Sequence, residues 1–120
     1  MKLRQYRVLI VEDDMFIAME VEAIVRDAGG EVVGPAMSAP QALRLINNQE
    51  ITTAILGVQL GDHDSLPVPR RLEDKGIPLV FQTSNDSGAI SPPTWPEAPI
   101  VKKPARPEAL VAPIAALKRK

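Results

Sequence analysis

Short runs of branched apolar residues, each followed by a segment of helical periodicity, constrain this chain more than any other feature. Val8-Leu9-Ile10-Val11 is the first such run, and runs of this length read as strands buried on both faces. Arg7 to Glu12 is therefore the first predicted strand. From Met15 to Ala28, the residues Ile17, Val21, Ile24, Val25 and Ala28 recur at helical spacing, and Gly29-Gly30 ends that helix as a glycine C-cap. Glu31 to Gly34 reads as a short second strand. Ser38, with Gln41 three residues on, forms a capping box that opens a helix turning Ala42, Leu43, Leu45 and Ile46 inward. Thr52 to Leu56 is the third strand, running out through Gly57, Val58 and Leu60.

The second half is less regular. Asp64 or Ser65 can cap a helix reaching Lys75 and stopped by Gly76; Pro67 suits its first turn, whereas Pro69 is expected to strain or delay it. Ile77 to Thr83 is a fourth strand with Leu79, Val80 and Phe81 buried. Asn85 to Pro99 is rich in proline, so a loop with at most a short helical turn is expected there. Ile100-Val101-Lys102 is a fifth strand. Pro107 opens a last helix carrying Leu110, Val111, Ile114 and Leu117, which Pro113 should kink or divide near Ala109. Strands and helices in alternation, joined by short connections, imply βαβ units. The expected architecture is α/β, a doubly wound five-stranded parallel sheet with a short or irregular fourth helix, in one domain over residues 1–120.

Three consecutive acids, Glu12-Asp13-Asp14, close the first strand. Adjacent carboxylates repel one another, a cost that a fold tolerates where a cation or an ammonium group is brought to them; a hard, oxygen-liganded ion such as Mg²⁺ suits the group. The bland alternative is that Asp14 caps the following helix and Glu12 is solvated. In parallel sheets the binding site lies beyond the carboxyl ends of the strands, so Glu12, Asp13, Gly57, Thr83 and Lys103 are the residues to watch.

Composition excludes several classes. With 120 residues the chain can bury one proper core, and with 3% aromatics that core is built from Val, Ile, Leu, Ala and Met. A net charge of −1 argues against nucleic-acid or membrane binding by bulk charge, and the absence of cysteine rules out disulfides and thiolate metal sites. No apolar stretch approaches the length of a membrane span and no secretory leader is evident, which sets the expectation of a cytoplasmic domain. There is no P-loop, no GxGxxG, no nucleophile elbow and no His-rich metal signature, so no enzyme is expected.

The strand ends resemble those of the receiver domain of bacterial two-component response regulators, over nearly the whole chain. The resemblance rests on Val8-Leu9-Ile10-Val11-Glu12-Asp13-Asp14, Ala54-Ile55-Leu56-Gly57-Val58-Gln59-Leu60, Val80-Phe81-Gln82-Thr83-Ser84, and Val101-Lys102-Lys103-Pro104 before Pro107-Glu108-Ala109-Leu110. It implies a flavodoxin-like (βα)5 fold. It also implies that an aspartate ending the third strand takes a phosphoryl group from a histidine kinase. By position, Asp13 would be the direct Mg²⁺ ligand and Glu12 would act largely through water. Gln59 would lend its backbone carbonyl, Thr83 would contact the phosphoryl group, and Lys103 would pair with it.

The acceptor position reads Gly57. The flanking Ile55-Leu56 and Val58-x-Leu60 fix the register, and a slip by one residue would turn every side chain to the wrong face. Glycine can neither attack a phosphohistidine nor ligate a metal, and the lost carboxylate weakens any Mg²⁺ site. Ile100 stands where the family often has the aromatic that swings inward on phosphorylation. Gly61-Asp62, Asp64-Ser65-Leu66-Pro67-Val68, Lys75-Gly76-Ile77-Pro78 and the proline-laden loop resemble a subgroup of single-domain receivers. The expectation is a degenerate receiver acting as a protein-interaction module through its last two helical segments and fifth strand. Its partner would be a histidine kinase or another signalling protein, or a second copy of itself, and neither nucleic acid nor membrane.

Two alternatives stay open: phosphorylation on a substitute, Asp13, Asp62 or Asp64, and a Mg²⁺- or pH-responsive acid cluster. Asp62 and Asp64 otherwise read as a turn and a helix cap, His63 as a loop residue, Thr83 as a satisfied hydroxyl, and Trp95 as a plug over the core edge. Lys102 is expected to face solvent, opposite Lys103.

Overall fold

The computed structural model describes residues 3–57, 67–83, 100–102 and 107–116. Its described elements are β1 (Arg7–Val11), α1 (Met15–Asp27), β2 (Glu31–Ala36), α2 (Ala39–Asn48), β3 (Thr53–Gly57), α3 (Pro67–Asp74), β4 (Leu79–Thr83), β5 (Ile100–Lys102) and α4 (Pro107–Ala116), strands and helices alternating as expected as far as β4. The strands form one five-stranded sheet in the order β2-β1-β3-β4-β5, and every pairing is parallel.

Side-chain alternation along the strands feeds two cores. On one face Leu9, Ala54, Leu56, Leu79 and Phe81 pack with Ala42 and Ile46 of α2 and Val68 and Leu72 of α3. On the other, Val8, Ile10, Ile55 and Val80 pack with Val21, Ile24 and Val25 of α1 and Val111 and Ile114 of α4. Burial on both faces is why these strands read as unbroken apolar runs rather than as alternating patterns.

The helix ends follow local chemistry. Asp14 caps α1, its Oδ1 accepting the backbone N–H of Phe16 at 2.9 Å and of Ile17 at 3.3 Å. Gly29 (φ 91°) and Gly30 close the helix, the Gly30 N–H reaching the Val25 carbonyl. Ser38 caps α2 by accepting from the Gln41 N–H, and the Gln41 side chain accepts from the Met37 N–H in return. Gly76 (φ 69°) ends α3, with Ile77 N–H on the Leu72 carbonyl.

Pro67 and Pro69 both fall in the first described turn of α3, where N–H groups have no intrahelical partner, and the residues before Pro67 lie outside the described residues. Two expectations are corrected. Pro113 does not divide the last helix: α4 runs unbroken from Pro107 to Ala116, held to the core by Val111 and Ile114 on either side of the proline. The second strand extends two residues past Gly34, to Ala36. The proline-rich loop, the caps Asp64 and Ser65, and Trp95 lie outside the described residues.

Candidate functional site

The sheet order places a topological switch at β1 and β3, since the chain leaves β1 outward to β2 and returns to β3 on the opposite side. The carboxyl ends of these two strands lie side by side: Val11 pairs with Leu56, so Glu12 emerges next to Gly57. Gly57 in turn pairs with Gln82 of β4, and Thr83 with Lys102 of β5. Four of the five strands thus bring their ends to one edge, as the resemblance implies.

Glu12 is only 4% exposed, so it is not the solvated residue of the bland reading. Its backbone N–H is held by the Ala36 carbonyl at 2.9 Å, and its Oε2 accepts the Asp14 N–H at 3.0 Å. Between these two anchors the side chain folds over the end of β3. A Cβ placed on Gly57 would lie 2.8 Å from the Glu12 Cδ and 3.2 Å from its Oε2, with Oε1 nearer still. The Glu12 carboxyl therefore fills the volume that a side chain at position 57 would enter.

The backbone at Gly57 does not demand glycine. Positive φ occurs among the glycines at Gly29, Gly34 and Gly76, whereas Gly57 sits in regular strand pairing. What the missing Cβ admits is the carboxyl group of Glu12, and nothing in the sequence pattern announced this inward turn.

Asp13 is exposed, and Asp14 is occupied as the α1 cap. The three neighbours thus differ in setting: Glu12 lies over Gly57, Asp13 is exposed, and Asp14 caps the helix. Among the described residues no group of three or more His, Asp or Glu side chains is placed to hold a metal. Gln59, whose carbonyl the resemblance adds to Glu12 and Asp13 as a Mg²⁺ ligand, lies outside the described residues, and no chemistry is routed through that site. Gln59, Asp62, His63, Asp64 and Lys103 lie outside the described residues, as do the side chains of Thr83, Ile100 and Lys102.

The structure reveals one surface that sequence reasoning did not single out. On α1, Phe16 is 85% exposed, Met15 63% and Met19 60%. The signal was present, because these three fall off the stripe of Ile17, Val21, Ile24 and Val25 that faces the core. The face expected to carry output, formed by the last helical segments and β5, has few described side chains; two of them, Val111 and Ile114, are buried. No helix among the described residues is long and apolar enough to cross a membrane.

No family model matches the chain. Among known proteins it is 29% identical over 103 residues to the phyllosphere-induced regulator PhyR of Methylorubrum extorquens, an alignment covering 83% of this chain and 39% of the relative. The chain thus spans about two-fifths of the length of that relative. Its fold superposes on the solution structure of SdrG from Sphingomonas melonis with a TM-score of 0.81 and 29% identity, covering 97% of each chain. It also superposes on a CheY-like response regulator receiver domain protein from Methanospirillum hungatei, with a TM-score of 0.75 and 25% identity over 91% of this chain and 90% of the other.

Proposed function

We propose that the chain is a receiver-like domain of the response regulator family and that it serves two-component signalling as a protein-interaction module that works without being phosphorylated. The observation that carries this reading is the Glu12 carboxyl lying over Gly57. At the edge where the family's acceptor stands, β3 offers only backbone, and the adjacent space is taken by a side chain from β1. A carboxylate that attacks a phosphohistidine must be free to approach phosphorus in line with the leaving nitrogen. Glu12, 96% buried by the fold and engaged by the Asp14 N–H, lacks that approach. With no carboxylate at position 57, Mg²⁺ binding is weakened. The partner is a protein of the same signalling system, a histidine kinase or another regulator.

The test is incubation with acetyl phosphate and Mg²⁺, followed by intact-mass measurement. The expected result is no hydroxylamine-labile adduct. A stoichiometric adduct would overturn the reading, and mapping it to Asp13, Asp62 or Asp64 would establish the substitute-acceptor alternative. Gly57→Asp serves as the positive arm. The atoms its Cβ meets are the far end of a flexible side chain, so Glu12 can swing aside and labelling is expected to appear.

A further inference from the structure

We propose that residues 3–6 form a strap that sets how firmly the last helix, α4, is held to the sheet, and that release of this strap regulates the module. The inference rests on the reading of the domain as an interaction module, for which it supplies a control that needs no phosphoryl group. The strap lies on the face of the sheet covered by α1 and α4. Leu3 is fully buried there, in the core that Val25 of α1 shares with Val111 and Ile114 of α4. Gly30 leaves room for it: a Cβ on that glycine would lie 3.2 Å from the Leu3 Cβ and 2.9 Å from the Val25 Cγ1.

Hydrogen bonds tie the strap to three elements. The Leu3 N–H donates to the Ala28 carbonyl just past α1, and the Tyr6 carbonyl accepts from the Glu31 N–H at the start of β2, both at 2.9 Å. Tyr6 packs half-buried against the same core, and its hydroxyl donates to the Ala115 carbonyl of α4 at 3.4 Å, a long contact that a small movement breaks. That carbonyl lies in the last turn of the helix, where carbonyls have no intrahelical donor. Tyr6 is thus a capping donor supplied from outside α4. The helix has use for one, because Pro113 in its interior lacks the N–H that would bind the carbonyl four residues earlier.

The strap also carries strain. The Tyr6 N–H reaches back to the Leu3 carbonyl at 2.9 Å, and within this turn Gln5 takes a φ of 73°. Among the described residues Gln5 alone places a side chain in the left-handed region, which the Cβ of an L-residue disfavours. Burial of Leu3 holds the turn closed, while Gln5 favours opening it. Opposed contributions of this kind leave a segment poised between two positions. Release withdraws the Leu3 side chain and the Tyr6 hydroxyl together, and both are attachments of α4.

The experiment uses the whole chain, labelled with ¹³C on its tyrosine ring and ¹⁵N on its amides, and measures NMR relaxation dispersion. Tyr6 is the one tyrosine in the sequence, so the ring signal reports on the strap alone. Strap release on the microsecond-to-millisecond scale is expected to give the Tyr6 ring and the amides of Ile114 and Ala115 one common exchange rate, while Ile10 and Ile55 in the sheet stay silent. Gln5→Gly is expected to lower the released population about twofold, since glycine takes this φ freely at the expense of added flexibility when released. Leu3→Val is expected to raise it about fourfold, as for the loss of one buried methylene. Flat dispersion at Tyr6 in all three proteins, unrelated rates at Tyr6 and α4, or exchange shared equally by Ile10 and Ile55 would overturn the proposal. So would a released population that Gln5→Gly raises or leaves unchanged, an arm that stands even where Leu3→Val does not fold. None of these outcomes bears on phosphoryl labelling, so a failure here is distinguishable from a failure of the functional reading.

Discussion

The carboxyl group of Glu12 stands where the side chain of residue 57 would begin, 2.8 Å from Cδ to an ideal Cβ on Gly57. The two positions come from adjacent parallel strands and are 45 residues apart in sequence, in the register set by the Val11–Leu56 pair. Their relationship is reciprocal. The missing Cβ lets Glu12 turn inward, and the inward Glu12 leaves no room for a Cβ unless it moves.

A double-mutant cycle measures this coupling. Gly57→Ala alone is expected to destabilise the domain by about 1 kcal/mol, because Glu12 must give up the Asp14 N–H to make room. In a Glu12→Ala background the three nearest atoms are gone, and the same change should be neutral or stabilising by about 0.5 kcal/mol, since alanine narrows the unfolded ensemble. Urea unfolding of the four variants gives the interaction energy, expected near 1 kcal/mol. Strictly additive effects would show that Glu12 does not occupy this volume.

Gly34 makes the opposite case, a glycine required by the backbone itself. Its φ is +97°, at the point where the pairing of β1 with β2 shifts register between Leu9–Val33 and Val11–Ala36. A Cβ there would lie 2.7 Å from the Ala36 nitrogen and 3.1 Å from the Ile10 carbonyl oxygen, backbone atoms that cannot step aside. Gly34→Ala is expected to cost at least about 2 kcal/mol, combining left-handed strain with the clash. A loss under about 0.5 kcal/mol in thermal or urea unfolding would contradict this geometry.

What the sequence made legible, and what it did not, follows from the range of each interaction. The strands were readable because burial on both faces of a parallel sheet forces contiguous apolar runs, as in Val8 to Val11 and Ala54 to Leu56. The caps at Asp14 and Ser38 and the stop at Gly29-Gly30 were readable because each depends on groups within a few residues. Leu3 was not: it is fully buried, its N–H held by the Ala28 carbonyl, a contact set by tertiary structure rather than by any local pattern. The inward turn of Glu12 was hidden for the same reason, since it depends on an atom absent from another strand.

Thr53 presents the last consequence of burial. It is 1% exposed in the middle of the sheet, paired with Val8, and its Oγ1 has no hydrogen-bond partner among the described residues. A hydroxyl taken from water without compensation costs about 1–3 kcal/mol. Valine has nearly the same shape and leaves out only the polar atom. Thr53→Val is therefore expected to raise stability by about 1 kcal/mol, read as a higher urea midpoint at unchanged slope. Thr53→Ser, which keeps the hydroxyl and deletes a buried methyl group, should lower it by a similar amount, about 1 kcal/mol. A less stable Thr53→Val would show that the hydroxyl is satisfied in solution, and the pair of variants separates that outcome from a general sensitivity of β3 to substitution.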